Sequence, residues 1–137
     1  MKAIVVDTNI LFSTLLGKNK KFRDILLSDS DVKLCSSKYA IVELFKYKEK
    51  IKKYSSLNED EVLDLLYNLL KRIQLVDEST LTETSLEQAF NLCYDVDEKD
   101  IPFVAVTIEL NGLLWTGDIK LKEGLKKKGF YSFFEVE

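Results

Sequence analysis

The sequence predicts an α/β fold: a three-layer sandwich with a central, mostly parallel five-stranded sheet. Three observations carry that expectation. Short apolar, β-branched runs alternate with segments whose apolar residues recur at helical spacing, the pattern of a parallel sheet covered on both faces. The chain has one Pro and five Gly among 137 residues, which argues against a turn-rich all-β fold and against disorder. The length suits one core, so residues 1–137 are expected to form a single domain.

Residues 2–6 form the first apolar run and read as a buried strand. A helix follows, with Ile10, Leu11, Phe12, Leu15 and Leu16 on its apolar side, and ends near Gly17. A second helix is expected over 22–27 and a second strand over 32–35. Ser36 or Ser37 is placed to cap a helix running to about Lys53. Asn58 and Glu61 have capping-box spacing at the start of the next helix, with Leu57 and Val62 placed as a hydrophobic staple. A third strand is expected over 73–76 and a helix over 81–93. Pro102 sits in the first turn of a helix reaching about Leu110, where its missing N–H is harmless. A fourth strand over 113–116 leads into a basic helix stopped by Gly129, and 131–134 reads as the last strand. Trp115, Phe130, Tyr131, Phe133 and Phe134 read as core residues of these strands in preference to base-stacking surfaces.

Composition removes several function classes. No apolar run is long enough to span a membrane, and the N-terminal one is closed by an acid, so a cytoplasmic protein with no membrane partner is expected. The two cysteines lie in apolar stretches, and two are too few for a disulfide framework or a zinc site. The chain has no histidine, which excludes Ser-His-Asp and Cys-His catalysis. A metal held here would be held mainly by oxygen, which favours Mg²⁺ or Mn²⁺. No phosphate-cradling glycine motif is present, so no nucleotide cofactor is expected. The net charge is −3, yet residues 18–23, 46–53 and 120–128 hold 14 of the 20 basic residues. Such local charge suits phosphate contact, or simply a solvated helix face. Lys46, Lys50, Lys120 and Lys122 are the candidates nearest the acids considered next.

In an open parallel sheet, ligands bind beyond the carboxyl ends of the strands. Asp7 ends the first strand, Asp118 follows the fourth, Asp100 begins the helix leading into the fourth, and Glu43 lies in the helix after the second. Each has an ordinary alternative. Asp100 and Asp118 also suit helix N-caps, and Glu43 also suits an exposed helix face. Asp7 is less easily explained that way, because Thr8 or Asn9 is available as the cap. Carboxylates gathered at one edge repel one another unless a cation lies between them, and a hard divalent cation supports phosphodiester hydrolysis without a protein nucleophile.

These residues resemble the PIN domain, and among PIN domains the small standalone, toxin-like (VapC-type) ribonucleases. The resemblance rests on four stretches in order: Val5-Val6-Asp7-Thr8-Asn9, residues 37–44 with Glu43, Asp100-Ile101-Pro102-Phe103-Val104-Ala105, and Leu114-Trp115-Thr116-Gly117-Asp118. It implies a Rossmann-like sheet, with Asp7, Glu43, Asp100 and Asp118 as catalytic ligands of Mg²⁺ or Mn²⁺. It also implies single-stranded RNA as substrate and a metal-activated water as nucleophile. Thr8, Asn9 and Thr116 are expected to orient the carboxylates by hydrogen bonds. Lys120 stands where some relatives carry a further acid, and Asp97 is the residue placed to compensate. Partners to expect are RNA, an antitoxin protein and a second copy of the chain.

The alternative is a PIN-fold RNA-binding or scaffold module without activity, against which four intact acids count. A phosphoacceptor receiver needs an acidic pair near its start, and only Asp7 lies in the first 23 residues. An Asp-nucleophile phosphatase needs an aspartate where Asn9 stands.

Overall fold

The computed structural model describes residues 2–28 and 31–136. In chain order these form β1 (Ile4–Val6), α1 (Thr8–Leu15), α2 (Lys20–Leu27), β2 (Leu34–Ser37), α3 (Tyr39–Lys46), α4 (Lys48–Tyr54), α5 (Glu59–Arg72), β3 (Ile73–Val76), α6 (Glu83–Cys93), α7 (Ile101–Glu109), β4 (Leu113–Trp115) and α8 (Ile119–Lys127). Single 3₁₀ turns at Glu78–Thr80 and Glu98–Asp100 precede α6 and α7.

The strands pair in the order β3-β2-β1-β4, and every pairing is parallel. Val5 and Val6 are fully buried, as befits the strand with neighbours on both sides. The chain steps from β1 outward to β2 and β3, then returns to lay β4 on the other side of β1. Right-handed crossovers then put α1–α5 on one face and α6–α7 on the other. The packing agrees, since α7 lies against β1, β2, β4 and α6, while α1 packs on α2, α3 and α5. The order reverses between β1 and β4, and a crevice opens at such a switch point beyond the strand ends.

Local chemistry explains the helices. Asn58 and Glu61 form the expected capping box: the Glu61 N–H donates to Asn58 Oδ1 (2.9 Å) and the Asn58 N–H donates to Glu61 Oε1 (3.0 Å). Pro102 stands in the first turn of α7, whose residues Phe103 to Thr107 are all buried between the sheet and α6. Gly129 takes φ +88° after α8, and Phe130 N–H reaches back to Leu125 O (3.0 Å), which closes the helix as a glycine C-cap does. No helix among the described residues is long and apolar enough to cross a membrane.

Three expectations change. The sheet has four strands among the described residues, not five. Residues 131–134 make a single parallel bridge, Leu114↔Phe133, because Phe133 N–H turns back to Tyr131 O (2.9 Å) and takes the chain out of the extended ladder. The aromatic side chains are nevertheless packed as expected: Trp115 is buried with its ring edge-on to Phe22 and Phe134, and Phe133 is buried, although Tyr131 is exposed. The helix expected to run unbroken to Lys53 breaks at Tyr47 (φ −98°, ψ 10°), whose N–H is shared between Glu43 O and Leu44 O. The break aims α4 so that Ile51 is buried and Ser55 Oγ donates to Leu15 O at the end of α1 (2.7 Å). Ser36 is no cap, since its hydroxyl donates to Val6 O (2.6 Å), whereas Ser37 Oγ does accept from Tyr39 N–H (3.1 Å).

Gly112 is fixed by space. A Cβ there would lie 2.5 Å from the carbonyl oxygen of Ala3, the atom that accepts the Leu113 N–H and joins β4 to β1. Gly112→Ala is therefore expected to lower unfolding stability by about 1–3 kcal/mol in denaturant titrations. Gly117→Ala meets only an ordinary 3.7 Å contact and should change stability far less.

Candidate active site

The crevice at the switch point is where the predicted acids meet. Asp7 directly follows β1, and its N–H donates to Trp115 O (2.9 Å) at the end of β4. Asp7 Oδ1 accepts from the Thr8 N–H (2.7 Å), and Oδ2 accepts from the Thr116 hydroxyl (2.7 Å) and the Asn9 amide (3.2 Å). Thr116 Oγ1 in turn accepts from Asn9 Nδ2 (3.2 Å) and from the Asp118 N–H (3.1 Å). The Gly117 N–H donates to Asn9 Oδ1 (3.1 Å). Thr8 Oγ1 donates to Glu43 Oε1 (2.6 Å), which ties α3 to the start of α1.

Asp7 itself is the N-cap residue of α1, a position the sequence offered to Thr8 or Asn9. The reason is that both of those side chains are used elsewhere in this network. Asp118 caps α8 through Oδ1, which accepts from Leu121 N–H (3.1 Å). Asp100 stands at the N-cap of α7 but makes no capping bond, and its Oδ2 is buried with no hydrogen-bond partner among the described residues.

Asp97, Asp100 and Asp118 each offer a carboxylate oxygen, and those oxygens lie within 4.8 Å of one another. Asp97 is exposed and caps the turn before α7 through the Lys99 N–H (3.0 Å). It therefore stands among the acids, closer to Asp100 and Asp118 than a merely supporting residue need be. Asp7, Glu43, Asp97 and Asp100 share one cleft of about 370 Å³. Phe12, Tyr47, Lys50 and Lys99 complete much of its wall.

Two of the acids are perturbed by burial and by their neighbours. Burial pushes the Asp7 carboxyl from its ordinary 3.8 up to about 6. The Thr116 and Thr8 hydrogen bonds oppose that rise, and the charges of Glu43 and Asp118 add to it. Asp100 is pushed up to about 8, first by burial and then by repulsion from Asp7, Asp97, Asp118 and Glu43. A buried carboxylate oxygen without a donor, set among four other acids, fits a hard divalent cation, which supplies the missing partner and offsets the repulsion. The thiols offer no rival chemistry. Both are buried, and Cys93 is pushed up to about 12, chiefly by burial and then by Asp100.

The expected lysines divide. Lys50 lines the cleft, while Lys46 and Lys120 are exposed and do not line it. Lys122 is paired with Glu135 (3.1 Å), and Lys128 is engaged by Asp95, so part of the basic run after Asp118 is occupied within the chain. Phe12, Tyr47 and Lys99 were missed. Their signal was present: Tyr47 and Lys50 stand four and seven residues after Glu43, on one helical stripe, and Phe12 stands four after Thr8.

Comparison with known proteins identifies the family and the fold. The PIN domain profile matches residues 5–131, and the chain belongs to the PIN domain family. Among solved structures, a chain in the crystal structure of VapBC2 from Rickettsia felis, bound to a DNA fragment from its promoter, shares the fold with a TM-score of 0.64. The match covers 88% of this chain and 92% of that one at 18% identity. No curated protein sequence matches the chain.

The raised acids set a pH dependence. Between their ordinary value and about pH 8, the metal-free folded chain holds protons that the unfolded chain has released. Their contribution to stability is thus complete below about pH 4 and is lost as pH rises through about 6 and 8. Asp100→Asn removes the larger share. In EDTA its melting temperature should exceed that of the wild type at about pH 8.5, and the difference should shrink at about pH 5. A difference independent of pH would count against the assignment.

Proposed function

We propose that this protein is an endoribonuclease that cuts single-stranded RNA with Mg²⁺ or Mn²⁺ and serves as the toxin of a toxin–antitoxin pair in the cytoplasm. The observation that carries the reading is the buried Oδ2 of Asp100, with no hydrogen-bond partner among the described residues, in a cleft lined by four acids at the switch point, with Asp118 close to Asp97 and Asp100. Membership of the PIN domain family, whose members are generally nucleases, supports it.

Asp7, Glu43, Asp100 and Asp118 are the proposed ligands, and Asp97 joins them from the turn before α7. When bound, the cation lowers the pKa of water and neutralises charge on the phosphodiester. The chain's own residues prepare for that. Thr116 and the Thr8 amide hold Asp7 in one orientation and favour its ionised form. The Thr8 hydroxyl fixes Glu43. Asp100 holds a proton near neutral pH and gives it up as the site is loaded, so loading should be tighter at higher pH.

The toxin part of the reading draws on the VapBC2 fold likeness and on a second feature of the surface. An apolar groove of about 640 Å³ lies among α3, α4 and α5, with Ile41, Phe45 and Leu63 exposed along it. A contiguous apolar surface of this kind suits a protein partner. A small antitoxin is the proposed occupant, and self-association of the chain is the competing outcome in sedimentation of the purified protein.

Purified protein with Mn²⁺ or Mg²⁺ should cut single-stranded RNA, and EDTA should stop it. Asp7→Asn should lower the rate by roughly 100-fold or more, beyond the usual cost of losing a residue that merely supports a ligand. Wild-type rates from Asp7→Asn would overturn the site assignment. RNA binding without turnover, unaffected by EDTA, would favour a non-catalytic RNA-binding module.

A further inference from the structure

The acids and the residues that hold them, Thr8 and Asn9, account for only part of the cleft. Its remaining wall holds two aromatic rings and two lysines, and nothing in the handling of a cation calls for them. We propose that Phe12, Tyr47, Lys50 and Lys99 form a nucleotide subsite beside the carboxylates, in which Tyr47 stacks on the base next to the cleaved phosphodiester and the lysines take its flanking phosphate. The inference rests on the RNA-cleaving reading given above.

Charge makes such a subsite necessary. A wall of carboxylates repels a phosphodiester, so the phosphates flanking the cleaved one need cations within the same cleft. Lys50 and Lys99 line it, and both are exposed enough to move toward a ligand. Lys99 is held at the rim by its backbone, because its N–H is the donor to Asp97.

The rings supply the other half of the recognition. Phe12 and Tyr47 are half-buried, with centroids 5.8 Å apart and planes tilted by 59°. They support each other and still present surface to the cleft. Lys50 Nζ lies 5.5 Å from the Tyr47 ring centroid. A cation–π contact at an exposed site is weak, so a base can take the ring face while the long lysine stem swings its charge to the phosphate. The helix break at Tyr47 lies in the stripe Glu43, Tyr47, Lys50, which places one acid, one ring and one cation in succession along the wall. At about 370 Å³ the cleft is at the small end of ligand sites, of a size for one nucleotide with its base unpaired. A base inside a duplex has no free face to offer, so this subsite gives the enzyme its preference for single strands.

The Phe12–Tyr47 pair also packs α1 against α3, and the test must separate the two roles. Tyr47→Leu keeps apolar volume and loses the ring. With the metal-loaded full chain and a labelled RNA oligonucleotide, it should raise KM on the order of 10-fold with kcat little changed. Tyr47→Phe should recover most of the loss. An oligonucleotide lacking the base beside the cleaved bond should impose the same loss on the wild type and no further loss on Tyr47→Leu. Lys50→Gln and Lys99→Gln should each make the salt dependence of KM shallower. The subsite is refuted if Tyr47→Leu leaves KM unchanged, or loses as much on the abasic RNA as on the intact one. If the wild type cuts no RNA, the nuclease reading fails. Fluorescence anisotropy with the same intact oligonucleotide then decides the subsite: weaker binding by Tyr47→Leu supports it, and equal binding refutes it.

Discussion

The hydroxyl of Thr116 holds the site together. It donates to Asp7 at the end of β1 while it accepts from Asn9 and from the Asp118 amide beyond β4. One side chain therefore fixes the relative position of two strand ends, one loop and two carboxylates. It does so where the sheet order reverses, and the Gly117 N–H to Asn9 Oδ1 bond (3.1 Å) reinforces the same junction. The parallel pairing of Val6 with Trp115 sets the register that brings Thr116 opposite Asp7, and the close approach of Gly112 to Ala3 sets the spacing at the other end of the same strand pair. The network is thus a consequence of the sheet, and the sheet's central pair is in turn tied at both ends.

What the fold tolerates in return is electrostatic. Ionisation of Asp100 in the metal-free chain is opposed first by burial and then by the neighbouring acids, which together push its carboxyl up to about 8. The chain has two ways to meet this opposition: a proton on Asp100, or a cation among the acids. Both act at the same oxygen, and for that reason proton and cation are expected to compete there. A core of well-buried residues from every strand and from α1, α5, α6, α7 and α8 leaves room for this local cost, as is usual where a site is built against stability.

Much of this was legible in the sequence, and the exceptions have physical causes. The alternation of apolar strands and helices gave the architecture, and β3 lies where its apolar run ends. Asp7, Glu43, Asp100 and Asp118 stood out because topology sends them all to one edge. The last strand was misjudged because an aromatic run fits a strand and a packed turn equally well, and only the Phe133–Tyr131 hydrogen bond separates them. The break at Tyr47 carries no proline or glycine to announce it. It comes from where α4 has to go, toward the end of α1. Asp97 was harder still, because an exposed acid in an acidic loop looks like solvent-facing charge until the turn before α7 folds it back toward Asp100. In the basic run after Asp118, Glu135 and Asp95 pair with Lys122 and Lys128, and neither partner stands close enough in sequence to announce the pairing.

The same repulsion that perturbs Asp100 governs what the cleft admits. A phosphodiester approaching these acids meets the negative field that Asp100 already feels from Asp7, Asp97, Asp118 and Glu43, and two lysines on the wall cannot cancel it alone. The cleft is therefore closed to RNA until the acids are neutralised, whatever the attraction of the rim. Once they are, Lys50 and Lys99, which line the same cleft, can act on phosphate. Cation loading and RNA binding should then be coupled through charge alone, each favouring the other, with no movement of the backbone required. On the proposed nuclease reading, a net charge of −3 is compatible with a polyanionic substrate: acids gather at the site proposed for a divalent cation, and Lys50 and Lys99 stand beside them.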